Sequence, residues 1–122
     1  SEIDRARVTP ECRGMIFDID YQGARQIRAK VPDITGVFIL PPSMEELVRR
    51  LRGRASETED VVQRRFAVAT GEIEHYALFD YLVVNDKLDE AFDELRSIIV
   101  AERSHRHRRA HLAEALLRKG RL

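Results

Sequence analysis

Asp18 and Asp20 stand two residues apart at the end of an apolar run, Met15-Ile16-Phe17-Asp18-Ile19-Asp20, that follows Gly14. On a strand, that spacing sends both carboxylates to the same side. An apolar strand ending in aspartates is an arrangement with which phosphoryl-transfer enzymes hold Mg²⁺ through its waters, and ligands of open α/β sheets bind at the carboxyl ends of strands. The same two acids also suit a plain strand-to-helix junction with a capping side chain. A second group is Arg50, Arg52, Arg54, Arg64 and Arg65, which flank the turn at 53–56, with Glu57, Glu59 and Asp60 as their nearest acids. The planar guanidinium fork fits phosphate oxygens, and a loop between two helices is a natural lid. The competing reading is a solvated face laced with i,i+4 pairs. A third group is His105, His107 and His111. His107 and His111 are four apart and could share a metal, but no carboxylate or cysteine completes the set and the neighbouring arginines repel a cation.

The elements that must position these groups are legible as alternating patterns. Residues 15–20, 36–40 and 81–84 are short apolar, β-branched and aromatic runs, the signature of buried strands. A short helix over roughly 22–30 stops before Pro32. Ser43 with Glu46 forms a capping box for a helix whose apolar face is Met44, Leu47, Val48 and Leu51. Ser56 with Glu59 repeats that signature ahead of a helix at about 57–75. Asn85 and Asp86 turn the chain into a helix at about 88–103, with Leu88, Phe92, Leu95 and Ile99 inward. A basic tail at about 106–119 has helical propensity with a weaker stripe at Leu112, Leu116 and Leu117. This pattern predicts an α/β fold of three parallel strands with helices on both faces.

Composition narrows the class. The 122 residues are 43% hydrophobic and 34% charged, with 21 basic against 21 acidic side chains. That neutrality is divided: from Arg103 onward seven basic residues face Glu114 alone, a net charge of +6, and residues 1–102 carry the opposing −6. No apolar run approaches the roughly 18 residues of a membrane span, and no leader has a charged start and apolar core. The single Cys12 builds neither a disulfide framework nor a zinc knuckle and reads as a core thiol in a reducing cytoplasm. The tail is electrostatically suited to RNA or an anionic surface, but it lacks interleaved aromatics, which argues against nucleic acid as a partner. The first residue is Ser1, residues 1–9 read as a helix already under way, and three strands are few for a doubly wound sheet. The chain therefore reads as a piece of something longer.

Four segments follow one another in a specific order: Phe17-Asp18-Ile19-Asp20-Tyr21-Gln22-Gly23-Ala24, Phe38-Ile39-Leu40-Pro41-Pro42-Ser43, Arg50-Leu51-Arg52-Gly53-Arg54, and Asp80-Tyr81-Leu82-Val83-Val84-Asn85-Asp86. Together they resemble the C-terminal portion of bacterial guanylate kinases, over about residues 1–104. The resemblance implies a P-loop α/β fold, with a core and lid portion over 1–104 (lid about 53–75) and a basic helical tail over 105–122. It implies transfer of a phosphoryl group from ATP to GMP with Mg²⁺. Asp18 and Asp20 would lie beside the metal and phosphates, with Asp20 also near GMP. Arg54 and Arg65 match the family's two lid arginines that neutralise the transferring group, and Arg50 and Asn85 match positions near adenine.

Two departures stand beside the likeness. The lid reads Gly53-Arg54-Ala55-Ser56, where relatives usually have Gly-Thr or similar after the arginine. No GxxxxGK[ST] phosphate loop occurs in the 122 residues, and the family's GMP-binding lobe is absent from them. In the family, the strand entering that loop sits between the strands equivalent to 15–20 and 36–40. The chain is therefore expected to be inert and poorly stable alone, and to pair with an N-terminal half or a second copy. The rival from another class is a non-catalytic guanylate-kinase-like interaction module, which has no evident need to keep Asp18, Asp20, Arg54 and Arg65 together.

Overall fold

A computed structural model describes residue 16, residues 18–53 and residues 58–122. Its helices are α1 (Tyr21–Lys30), α2 (Met44–Arg52), α3 (Glu59–Glu74), α4 (Leu88–Arg103) and α5 (Arg106–Lys119). The strands are β1 (Val37–Leu40) and β2 (Tyr81–Val84), and a 3₁₀ turn (Tyr76–Leu78) joins α3 to β2. These bounds lie within two residues of those expected from periodicity. Local chemistry explains several ends. The Ser43 hydroxyl accepts from the Glu46 amide at 3.0 Å, so half of the expected capping box is built. Its other half is diverted, because the Glu46 carboxylate takes Arg49 at 2.6 Å and Arg50 at 3.0 Å. At α3 the cap is Thr58, without a side-chain hydrogen bond, and Ser56 lies outside the described residues.

The two strands pair in parallel, with Val37 opposite Tyr81 and Leu40 opposite Val84. One side chain holds their entry. Asp80 Oδ2 accepts from the Gly36 amide at 2.7 Å and from Arg28 Nη2 at 2.8 Å. The Asp80 and Tyr81 amides in turn donate to the Gly36 carbonyl, at 2.8 and 3.1 Å. At the far end the Asn85 amide donates to the Leu40 carbonyl at 2.7 Å. Phe38 and Phe79 meet edge to face, 5.0 Å between centroids, behind this lock.

Three expectations are corrected here. The described sheet has two strands, not three. Met15 and Phe17 of the run at 15–20 lie outside the described residues, while Ile16, Asp18, Ile19 and Asp20 carry no strand assignment. A strand needs a ladder partner to satisfy its amides, and none of the described residues supplies one there. Second, among the described residues the sheet is covered unevenly: in β2, Val83 is fully buried, but Leu82 and Val84 on the opposite face are about half exposed. Third, Leu88 and Phe92 are 78% and 62% exposed rather than inward. Helix α4 instead turns Ala91, Leu95, Ile98 and Ile99 toward its neighbours. On a two-stranded sheet there is no room for a wider apolar stripe to be covered.

The basic tail is docked. The Glu102 carboxylate, at the end of α4, accepts from the Tyr81 hydroxyl at 2.6 Å and from the Thr35 hydroxyl at 3.0 Å. Arg108 of α5 reaches the same place: its Nη2 donates to the Asp33 carbonyl and to Thr35 Oγ1, each at 3.0 Å. Its Nε lies 3.8 Å from Glu102. Gly120 ends α5 at φ +77°, a left-handed cap that favours glycine.

Partial burial acts to raise the Asp80 carboxyl, but the Gly36 amide and the Arg28 guanidinium outweigh it, and the group sits below its ordinary range. A carboxylate lowered in the folded state contributes stability above its unfolded pKa of about 4 and loses it as pH falls through the folded value. Asp80→Asn should therefore cost about 1–2 kcal/mol at neutral pH and flatten the loss of stability below about pH 4. Urea unfolding across that range checks this. An equally steep acid loss in the variant would show that the lock lies elsewhere.

Candidate nucleotide and metal site

The carboxyl ends of β1 and β2 open onto Pro41-Pro42-Ser43 and Asn85-Asp86, and helix α2 rises from Ser43 beside them. Arg50, two turns along α2, returns to this edge. Its Nε pairs with Glu46 at 3.0 Å, and its Nη2 points to the Asp86 carbonyl at 3.5 Å, a long contact. Arg50 and Asn85, thirty-five positions apart, thus meet on one rim. The Arg49 guanidinium bound to Glu46 is the main influence that lowers the Glu46 carboxyl, with burial opposing and Arg50 adding. The carboxylate stays ionised and keeps Arg50 aligned.

Asp20 is the N-cap of α1. It has extended backbone, and its Oδ1 accepts from the Gly23 amide at 2.8 Å. Asp18 and Asp20 are both exposed. The expected same-side projection depended on a strand that residues 18 and 20 do not form, although Asp20 itself is extended. Gly23 is the residue that lets the cap close. A Cβ there would lie 3.1 Å from Ile19 Cβ and 3.3 Å from Asp20 Oδ1.

Arg65 lies on the exposed side of α3. Arg54, between α2 and α3 in sequence, lies outside the described residues. Arg52 and Glu59 form an ion pair at 2.7 Å on either side of that segment, both half exposed. Part of the arginine cluster is thus tied into surface pairs, as the bland reading held for Arg50 and Arg52.

Three residues were not singled out in sequence. Glu72, near the end of α3, accepts from the Tyr21 amide at 3.0 Å. His75 stacks on the Tyr21 ring at 3.8 Å with planes 11° apart. The Arg25 guanidinium lies 5.9 Å from the same ring centroid. The clue available in the sequence was local: a histidine just past a helix end, and an aromatic directly after the candidate acid.

A metal site must be judged on its donors. Among the described residues no group of three or more His, Cys, Asp or Glu side chains is placed to hold a metal ion. Two exposed carboxylates suit a hard cation that keeps most of its water, as Mg²⁺ does, and do not suit a closed cage. In the tail, His105 and His107 share an Nδ1–Nδ1 contact at 2.6 Å. Two shallow hollows, of about 370 and 400 Å³, lie between β2 and α4 and at the strand entry near Asp33 and Glu102; His105 and His107 line the second, and none of Asp18, Asp20, Arg50, Arg65 and Asn85 lines either. No helix among the described residues is long and apolar enough to cross a membrane.

Comparison with known proteins bears on the family of the chain. The family model described as guanylate kinase matches residues 3–102. The chain is 50% identical over 105 residues to a guanylate kinase of Photorhabdus laumondii, covering 86% of this chain and 51% of that protein. It is 51% identical over 105 residues to one from Rhizobium meliloti, covering 85% of this chain and 48% of that protein. A crystal structure of guanylate kinase from Anaplasma phagocytophilum superposes with a TM-score of 0.64 at 30% identity, over 85% of this chain and 48% of that one. The chain spans about half the length of the curated relatives it matches.

Gly23→Ala tests the geometry at Asp20. Alanine gains up to about 1 kcal/mol of helix propensity and loses about as much if the cap opens. Stability should stay within about 1 kcal/mol of the parent by urea unfolding, while the ¹³C shift of the Asp20 carboxyl moves. An unmoved carboxyl signal would show that Gly23 does not control it.

Proposed function

The chain belongs to the guanylate kinase family, and from that premise we propose that it supplies the core and lid of an enzyme that transfers a phosphoryl group from ATP to GMP. The observation that carries this reading is the meeting of Arg50 with the Asn85-Asp86 rim at the carboxyl ends of the parallel strands. Open α/β sheets bind their ligands at that edge, and Arg50 and Asn85 there receive the adenine of ATP. Asp18 and Asp20 hold Mg²⁺ through its waters, with Asp20 also facing GMP. The cation supplies charge neutralisation for the phosphates. Arg54 and Arg65 approach the transferring group from the lid, residues 53–75, as it closes. Little covalent chemistry is asked of the protein: positioning and charge neutralisation account for the rate.

The 122 residues contain no phosphate loop, so turnover needs a segment that cradles the β-phosphate. We place that segment beside residues 15–20, which then form the third parallel strand with it. The half-exposed Leu82 and Val84, and Ile39 of β1 at 45%, support an unfilled neighbour. The segment comes from an N-terminal half or, by strand exchange, from a second copy. The reaction belongs to the cytoplasm, where both nucleotides are available, and residues 105–122 are a tail outside the catalytic part.

A coupled ADP-release assay tests this. The chain alone with ATP, GMP and Mg²⁺ should give no turnover, and GMP-dependent turnover should appear on adding a phosphate-loop half from a relative. In the combined enzyme, Arg65→Ala should lower turnover by about 10³-fold, the scale of a transition-state arginine. Robust turnover by the chain alone, or an undiminished Arg65→Ala enzyme, would overturn the assignment.

A further inference from the structure

Helix α1 begins with amides that have no partner inside the helix. Two different carboxylates take them. Asp20, the cap, accepts from Gly23, and Glu72, fifty-one residues away on α3, accepts from Tyr21. Each acid is well placed against the positive end of the helix. The Tyr21 side chain is held at the same time: His75 lies parallel to its ring at 3.8 Å. His75 is itself oriented, because its Nδ1 lies 2.7 Å from the Gly71 carbonyl. A carbonyl only accepts, so Nδ1 carries the proton and the ring plane is fixed against α3.

We infer that Glu72 and His75 are positioning residues, which fix the Asp20 carboxylate by clamping Tyr21 to the root of the lid helix. This deepens the proposed function and rests on its assignment of Asp20 to the metal. The geometry is direct. Tyr21 is bonded to Asp20, so a rotation of Tyr21 changes the direction of the preceding side chain. The consequence for the lid is mechanical. Arg65 and Glu72 are seven residues apart on α3, two turns along one face and separated by about 10 Å. The helix that carries the lid arginine therefore ends on the residue next to the metal-facing acid. Lid and metal site share one rigid connection, and a lid position that strains the clamp also turns Asp20.

The test uses the isotopically labelled 122-residue chain, with Mn²⁺ alone as the probe. Glu72→Ala and His75→Ala should shift the Tyr21 and Gly23 amides and the Asp20 carboxyl, and weaken Mn²⁺ broadening around Gly23 by about tenfold, as loss of partners behind a metal ligand does. His75→Phe keeps a ring to stack on Tyr21 and should restore most of both effects; a simple loss of packing at the surface would not be rescued so selectively. The Val83 amide, in the buried strand, reports that the fold is intact. Unmoved Tyr21, Gly23 and Asp20 signals in the two alanine variants would overturn the clamp, as would a phenylalanine variant no better than alanine. Asp20→Asn separates the two ideas. If it leaves the Mn²⁺ broadening unchanged, the metal assignment falls, while the amide and carboxyl shifts still decide the clamp.

Discussion

The parallel pairing of β1 with β2 depends on the Asp80 carboxylate. A parallel pair cannot be closed by a tight turn, so its register must be set by something other than the connection. Here Asp80 bridges Gly36 and Arg28 at the strand entry, and Asn85 hydrogen-bonds to Leu40 at the exit. Gly36 is suited to this bridge because a Cβ there would lie 3.2 Å from the Phe79 ring and 3.4 Å from Arg28. A slip of one residue would carry Val83 out of the core and send Leu82 in. It would also move the Asn85-Asp86 rim away from Arg50, so the carboxyl edge of the strands inherits its geometry from this lock.

The buried apolar side chains among the described residues are Val62, Val83 and Ala91. Exposed apolar side chains are normal when scattered. Leu82 and Val84 share one face of β2, whereas Ile39, opposite Val83, lies on the other face of the sheet. The polar networks differ in kind. Glu102 draws together Thr35, Tyr81 and Arg108, and the Tyr81 hydroxyl is the main influence that lowers its carboxyl, with Thr35, Arg108 and His105 adding and burial opposing. The amino end of the sheet is finished by polar bonds, whereas apolar side chains on both of its faces stay about half exposed.

What was legible in the sequence was whatever is decided locally. Ser43 announces α2 because its hydroxyl competes for an amide three residues on, and Pro32 stops α1 because it has no amide to give. The spacing in 88–103 reveals a helix, but not which stripe is covered. Ala91 is buried and Phe92 is exposed because the width of the sheet decides the stripe, and that width is a tertiary fact. Residues 15–20 illustrate the same limit: apolar, β-branched content makes a strand possible, and a ladder partner makes it real. The Arg50–Asn85 rim was reachable through the family likeness alone, since nothing local ties positions thirty-five apart. Glu72 and His75 were invisible for the same reason, having ordinary types at ordinary positions until the fold places Tyr21 between them.

Helix α3 is held by different means at its two ends. At Thr58 there is no side-chain cap, and the adjoining Arg52–Glu59 pair is half exposed, a kind of contact worth about 0–1 kcal/mol. At the other end, Glu72 makes a charge-assisted hydrogen bond to a helix amide, His75 stacks on an aromatic ring, and the chain passes at once into the 3₁₀ turn. Charge-assisted bonds are worth roughly 1.5–3 kcal/mol and aromatic pairs roughly 0.5–1.5 kcal/mol. Polar bonds therefore hold the carboxyl end of α3, whereas the amino end is held by apolar burial: Val62, in the first turns of the helix, is 2% exposed.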